Sequence, residues 1–95
     1  EAHVVDRLLG RDAPCASTKP LTGHTLGAAG AVQAALCLLA MERGQMPPHI
    51  WDGARDPALP PIRLTQAGET GSLKHILSTS YAFGGNNAAL LLASE

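Results

Sequence analysis

Lys19 and His24 are the residues best suited to chemistry, and both lie in the polar head of a long apolar stretch. Residues 17–41 read S-T-K-P-L-T-G-H-T-L-G-A-A-G-A-V-Q-A-A-L-C-L-L-A-M. This pattern places His24 at the start of a helix, where unpaired N–H groups and the helix dipole disfavour a charged imidazolium. A neutral histidine beside a fixed lysine suits a carboxylate or a developing oxyanion. The residues alone leave open a helix-capping histidine and a solvated lysine without chemistry.

A second candidate is Phe83-Gly84-Gly85, which lies between two predicted strands. Glycines permit backbone dihedrals that are closed to other residues, so the segment predicts a tight turn. Residues 74–80 and 87–93 are the predicted strands, and the second is apolar on both faces, which is typical of an interior strand. Taken locally, a plain hairpin turn with Phe83 packed in the core fits equally well.

The element that must position these residues is a helix predicted over about residues 23–42. Alanine, leucine, methionine and glutamine are good helix formers, and Gln33 is the strongly polar residue within the apolar run. A helix without a wet face is expected to be buried between layers. Gly44 is placed to cap it, and the two prolines that follow at 47 and 48 forbid its continuation.

The remaining pattern predicts short elements around this helix. Residues 1–9 are predicted to form an amphipathic helix ended by the glycine that follows. Residues 15–18 are predicted as a short strand or an extended entry to the Lys19 loop, and residues 62–65 as a short strand. Pro20 is expected to hold Lys19 away from helical dihedrals. The residues themselves therefore predict an α+β fold, in which a buried central helix packs on a mixed β-sheet.

Composition excludes several classes of function. The 95 residues are 45% hydrophobic with a net charge of −1, and no Lys/Arg cluster exists to neutralise nucleic-acid phosphates. The longest apolar run falls short of the roughly 20 residues of a membrane span, so no membrane partner is expected. Two cysteines outside any metal-ligand pair predict a reducing, cytoplasmic location.

The motif S-T-K-x-x-T-G-H-x-L-G-A-A-G, followed some sixty residues later by S-x-A-F-G-G-N-N, resembles the C-terminal part of a β-ketoacyl-acyl-carrier-protein synthase. The resemblance covers nearly the whole chain and implies the thiolase fold. It also implies that residues 1–95 are an incomplete synthase domain, because the family's nucleophilic cysteine and first catalytic histidine precede them. The 95-residue chain alone is therefore predicted to be inactive.

The resemblance also implies roles for individual residues. His24 matches a histidine that assists malonyl decarboxylation and donates a hydrogen bond to the enolate-like oxygen, and Lys19 matches the lysine that supports it electrostatically. Phe83 matches the phenylalanine beside the acyl tunnel, whose N–H forms half of the oxyanion hole. Gly84 and Gly85 match the glycines that let this substrate-binding loop move.

The chain departs from the family at three positions. Asn86 replaces a threonine, Gln33 replaces the glutamate of members with a buried cation site, and Thr79 replaces an asparagine. Because a hard cation needs oxygen ligands and negative charge, no metal and no cofactor are predicted. Neither Cys15 nor Cys37 is expected to be the nucleophile.

Three functions follow as hypotheses. The first is the C-terminal segment of an active synthase for fatty-acid or polyketide and polyene synthesis, working with acyl carrier protein as a homodimer or heterodimer. The second is a segment of a catalytically silent partner subunit of the chain-length-factor kind. The third is a non-enzymatic binding fragment.

Overall fold

The computed structural model describes residues 1–82 and 84–95, and within them it has the predicted α+β composition. The helical elements are α1 (Ala2–Leu9), α2 (Lys19–Thr22), a 3₁₀ turn (Leu26–Ala28) and α3 (Ala29–Arg43), and the strands are β1 (His75–Tyr81) and β2 (Asn87–Ala93). The prediction of α1 is confirmed. It ends at Gly10, whose φ of 79° a residue with a side chain adopts only at a cost.

The start predicted for the central helix is wrong. α3 begins at Ala29 rather than near Gly23, because Gly23 has a φ of 78° and Leu26 a φ of 53°, values that no right-handed helix contains. The predicted end is confirmed within one residue, since α3 stops at Arg43 and Gly44 adopts the left-handed conformation as its cap. A Cβ on Gly44 would also lie 3.3 Å from the carbonyl oxygen of Gly71.

Lys19 does not avoid helical dihedrals as predicted, because it is the first residue of the one-turn helix α2. Pro20 occupies the second position, within the first turn, where the missing N–H costs no intrahelical hydrogen bond. α2 ends at Gly23, whose N–H donates to the carbonyl oxygen of Lys19 at 2.8 Å. Lys19 is therefore held by a closed turn rather than by an extended segment.

β1 and β2 form an antiparallel hairpin in which His75 pairs with Ala93 and Tyr81 with Asn87. The second strand has its predicted bounds, and the first is shifted by one residue. The interior position predicted for β2 is not met in this chain, since Leu90 is 49% and Leu91 64% exposed. α3 packs on the hairpin, but the described residues place no second layer over these leucines.

α3 is likewise less buried than predicted, with Ala40 as its buried residue. The stretch Leu26–Arg43 is long and apolar enough to count as a candidate membrane span, a test that core helices of soluble proteins also pass. Its α-helical part has 15 residues and spans about 22 Å, less than the roughly 30 Å of a bilayer core. The absence of a membrane partner therefore stays a prediction.

The strands predicted over residues 15–18 and 62–65 shrink to one parallel bridge between Cys15 and Leu64. Two hydrogen bonds make it: the N–H of Cys15 donates to the carbonyl oxygen of Arg63 at 2.9 Å, and the N–H of Thr65 donates to that of Cys15 at 3.0 Å. The prolines at 60 and 61 limit the ladder, because proline has no N–H to donate. This bridge joins the segment that leads into α2 to the segment that precedes the hairpin.

Candidate active site

A cavity of about 470 Å³ lies between the loop after α2, the beginning of α3 and the end of the hairpin. We name it the His24 cavity; its lining residues are Lys19, His24, Leu26, Gly27, Ala29, Gly30, Gln33, Ser80, Tyr81, Ala82 and Ala88. The structure thus brings the two predicted catalytic side chains together with the last residues before Phe83. Phe83 itself lies outside the described residues. Gly84 and Gly85 have φ of 68° and 79°, which confirms the predicted turn.

The loop geometry determines the tautomer of His24. The backbone N–H of Leu26 donates to Nδ1 of His24 at 3.1 Å, and an imidazole nitrogen that accepts a hydrogen bond carries no proton. In the neutral form of the ring, the proton is then on Nε2. The position predicted for His24, at the first turn of α3, is wrong, because His24 lies five residues before that helix begins.

Backbone strain is concentrated at the same cavity. Within residues 1–82 and 84–95, the non-glycine residues with positive φ are Leu26 at 53° and Ala82 at 67°, and both line the His24 cavity. Each costs about 1–2 kcal/mol relative to ordinary dihedrals. Strained residues cluster at functional sites because they aim groups that relaxed backbone cannot. At Leu26 the group so aimed is the N–H bonded to His24.

Gln33 connects α3 to the strand that leads to the cavity. Its Nε2 donates to the hydroxyl of Ser78 at 3.1 Å and to the carbonyl oxygen of Thr79 at 3.2 Å. These bonds fix β1 two residues before the strand reaches the cavity at Ser80. The absence of a metal and of a cofactor stays a prediction.

Comparison with known proteins assigns the family. Residues 1–51 match the family model described as beta-ketoacyl synthase, C-terminal domain. The chain belongs to the β-ketoacyl synthase family. The match covers α1, the segment of Lys19 and His24, and the whole of α3, whereas the hairpin residues of the His24 cavity lie outside it.

Individual synthases are similar over nearly the whole chain. The chain is 36% identical over 93 residues to 3-oxoacyl-acyl-carrier-protein synthase 1 of Haemophilus influenzae, covering 96% of this chain and 23% of that protein. It is 33% identical over 96 residues to the tetracenomycin polyketide synthase ketoacyl synthase alpha subunit of Streptomyces glaucescens, covering 98% and 22%. The chain thus spans less than a quarter of the length of these relatives.

A solved structure shows the same fold. A chain of the complex between a ketosynthase and its chain length factor from Xenorhabdus doucetiae superposes with a TM-score of 0.90 at 41% identity. The superposition covers 100% of this chain and 24% of that chain. α3 and the hairpin of β1 and β2 therefore have the arrangement found in that chain of the complex.

Both cysteines of this synthase segment have a thiol pKa above the ordinary value. Burial raises the pKa of the Cys15 thiol, with the negative charge of Glu1 adding to the effect, and burial also raises the pKa of the Cys37 thiol. A raised pKa leaves less thiolate at neutral pH, and the thiolate is the nucleophile. These directions support the prediction that neither cysteine is the catalytic one.

Sequence reasoning missed one residue that contacts the site's scaffold. The sequence assigned no role to His49, which is half-buried; its Nδ1 accepts a hydrogen bond from the N–H of Ser17 at 3.0 Å. Ser17 lies two residues before Lys19, so His49 anchors the segment that enters the candidate active site. No local signal could have revealed this contact, because 32 residues separate its partners.

Proposed function

We propose that the chain is the C-terminal portion, residues 1–95, of a 3-oxoacyl-acyl-carrier-protein synthase domain with the thiolase-type architecture. Its reaction is the decarboxylative Claisen condensation of malonyl-acyl-carrier protein with an acyl-enzyme thioester, in fatty-acid or polyketide and polyene synthesis. The observation that carries the proposal is His24, whose Nδ1 accepts the Leu26 N–H while its ring shares a cavity with Lys19 and the hairpin end.

His24 acts on the malonyl group. When the malonyl carboxylate leaves as carbon dioxide, the electron pair of the broken carbon–carbon bond passes through the α-carbon to the thioester oxygen, which becomes an enolate oxygen. A Nε2–H donor aimed at this oxygen binds the transition state more strongly than the ground state. The ammonium group of Lys19 stabilises the same negative charge.

The enolate carbon then attacks the acyl-enzyme carbonyl. A tetrahedral oxyanion forms, and its collapse releases the enzyme thiolate and leaves the 3-oxoacyl product on the carrier protein. By the family resemblance, the Phe83 N–H donates one of the two hydrogen bonds to this oxyanion. Gly84 and Gly85, which adopt positive φ, let the loop move when the acyl chain enters.

The proposed partners are acyl carrier protein and a second synthase-like subunit, as a homodimer or heterodimer, in the cytoplasm. Support for a heterodimer comes from the matched solved structure, which is a ketosynthase bound to its chain length factor. Two leucines of β2, Leu90 and Leu91, are exposed in this chain, and apolar strand surface of this kind requires cover in the assembled protein.

The experiment that tests the function measures carbon dioxide release from malonyl-acyl-carrier protein by the full-length protein. His24→Ala should lower the decarboxylation rate about 10²–10³-fold, the usual cost of removing one oxyanion donor. His3→Ala, an equal truncation at an exposed position of α1, is the matched control and should keep wild-type activity. Equal rates for wild type and His24→Ala contradict the proposal.

The alternative of a silent chain-length-factor-like subunit is favoured by the subunit composition of the matched complex. Presence of Lys19 and His24 in one cavity favours the active synthase. The residue at the family's nucleophile position discriminates: cysteine supports the synthase, and another residue supports the silent subunit. For the binding-fragment hypothesis, titration of the isolated chain with acyl carrier protein should show no specific binding.

A further inference from the structure

His49 belongs to a second cavity of about 540 Å³, which we name the His49 cavity, also lined by Ser17, Lys19 and Thr65. The backbone of His49 is fixed, since its N–H donates to the carbonyl oxygen of Thr65 at 3.0 Å. Thr65 is 3% exposed, and its hydroxyl donates to the carbonyl oxygen of Pro47 at 2.5 Å. The buried Thr65 therefore holds the main chain on both sides of Pro48, at Pro47 and at His49.

The imidazole of His49 is held from two directions. Its Nδ1 accepts the Ser17 N–H at 3.0 Å, and its ring centroid lies 6.0 Å from that of Trp51 at an interplanar angle of 60°. The guanidinium carbon of Arg55 lies 5.5 Å from the centroid of the Trp51 ring, a cation–π contact that limits movement of the indole. One hydrogen bond and one aromatic contact therefore hold the histidine ring.

Ser17 transmits this anchor to Lys19. The N–H of Lys19 lies 3.4 Å from the hydroxyl oxygen of Ser17, and Lys19 begins α2, the turn that leads to His24. A backbone N–H in a half-buried segment needs an acceptor. Nδ1 can accept only in the neutral Nε2–H tautomer, because a protonated Nδ1 would oppose one N–H with another.

We infer that His49 is a positioning residue: its unprotonated Nδ1 holds the Ser17 amide and thereby sets the place of Lys19 in the His24 cavity. The part of this inference that concerns catalysis rests on the proposed function. The part that concerns the hydrogen bond does not.

The first test reads the hydrogen bond directly. The full-length protein, labelled with ¹⁵N in its histidine rings, should give for His49 an unprotonated Nδ1 and a protonated Nε2 at neutral pH, with the resonances assigned by their loss in His49→Asn. A protonated Nδ1 overturns the inference. This readout needs no activity.

The second test separates positioning from structural support. Asparagine attaches its Oδ1 to Cγ, as histidine does Nδ1, whereas glutamine places its oxygen one bond farther away. His49→Asn should keep kcat for malonyl decarboxylation near the wild-type value, while His49→Gln lowers it about tenfold, the equivalent of one lost hydrogen bond, with KM unchanged. His3→Asn and His3→Gln are the matched controls and should behave alike.

Two outcomes contradict the positioning role: an Asn variant as slow as the Gln variant, or a Gln variant as fast as wild type. If the Gln variant does not fold, the protonation state of Nδ1 in the wild type decides. Wild-type protein that releases no carbon dioxide contradicts the proposed function instead. The failures of the two proposals are therefore distinguishable.

Discussion

The two cavities of this chain differ in what they hold, although both are lined by Lys19 and Gln33. The His24 cavity has an exposed histidine and two strained backbone positions, Leu26 and Ala82. The His49 cavity is larger and contains the buried Thr65. There, His49 and Thr65 make hydrogen bonds between separate chain segments. The larger cavity is thus lined by groups that hold chain segments together, and the smaller one is lined by groups that suit a reaction.

Because of this difference, substitutions in one cavity should change the reaction rate and substitutions in the other should change the stability of the fold. Truncation of the exposed His24 should lower the rate and leave the free energy of unfolding nearly unchanged. Substitutions of buried groups in the His49 cavity should do the reverse.

The largest effect among the following substitutions is expected at Lys19. Lys19→Ala removes the positive charge from the His24 cavity and should lower kcat for malonyl decarboxylation tenfold or more, about 1.4 kcal/mol or more of transition-state stabilisation. Lys19→Arg keeps the positive charge but on a group of different shape, so kcat should fall less than in Lys19→Ala. Steady-state assays of the full-length protein measure both, and a full-rate Lys19→Ala enzyme would place the chemistry elsewhere.

A stability effect is expected at Thr65. Thr65→Val keeps the shape but removes the hydroxyl that donates to the Pro47 carbonyl, so the free energy of unfolding should fall by about 1–3 kcal/mol. Denaturant titration of the full-length protein measures this free energy. It should fall less in Thr65→Ser, which retains the hydroxyl. A valine variant with lowered kcat and unaltered stability would erase the distinction between the cavities.

A smaller effect of opposite sign is expected at Ala82. Because Ala82 has a φ of 67°, Ala82→Gly relieves about 1 kcal/mol of strain and should stabilise the protein by roughly half that amount after the entropy cost of glycine. Ala89→Gly in β2, where φ is ordinary, is the control and should destabilise by about 0.5–1 kcal/mol. Equal losses for both variants would show that position 82 is unstrained.

The smallest effect concerns thiol reactivity. Since burial raises the pKa of Cys15 and of Cys37, each has less thiolate than an unfolded cysteine at the same pH. Alkylation by iodoacetamide at pH 8, followed by peptide mass spectrometry, should therefore be slower in the native protein than in the denatured one. Faster alkylation of either native thiol would reopen its candidacy as a nucleophile.

Local sequence was sufficient for the regular elements and insufficient for the irregular ones. The bounds of β2 and the end of α3 follow from apolar patterning and the Gly44 cap. The beginning of α3 was misplaced because the positive φ of Leu26 is invisible in a run of good helix formers. The burial predicted for α3 and β2 depends on surfaces that these residues do not supply.

The candidate site was partly predictable for a similar reason. Lys19 and His24 stand five residues apart and line one cavity, so a motif could find both. His49 reaches Ser17 only through the fold. The motif also indicated His24 as a donor through Nε2–H, and the hydrogen bond from the Leu26 N–H to Nδ1 is compatible with that tautomer.

The most direct test of the central claim is a crystal structure of the full-length protein with a non-hydrolysable malonyl thioester analogue. The account predicts that Nε2 of His24 lies about 2.7–3.1 Å from the thioester oxygen, the distance of an oxyanion donor. An analogue bound with this oxygen beyond hydrogen-bond reach of His24, and held by other groups, would contradict it.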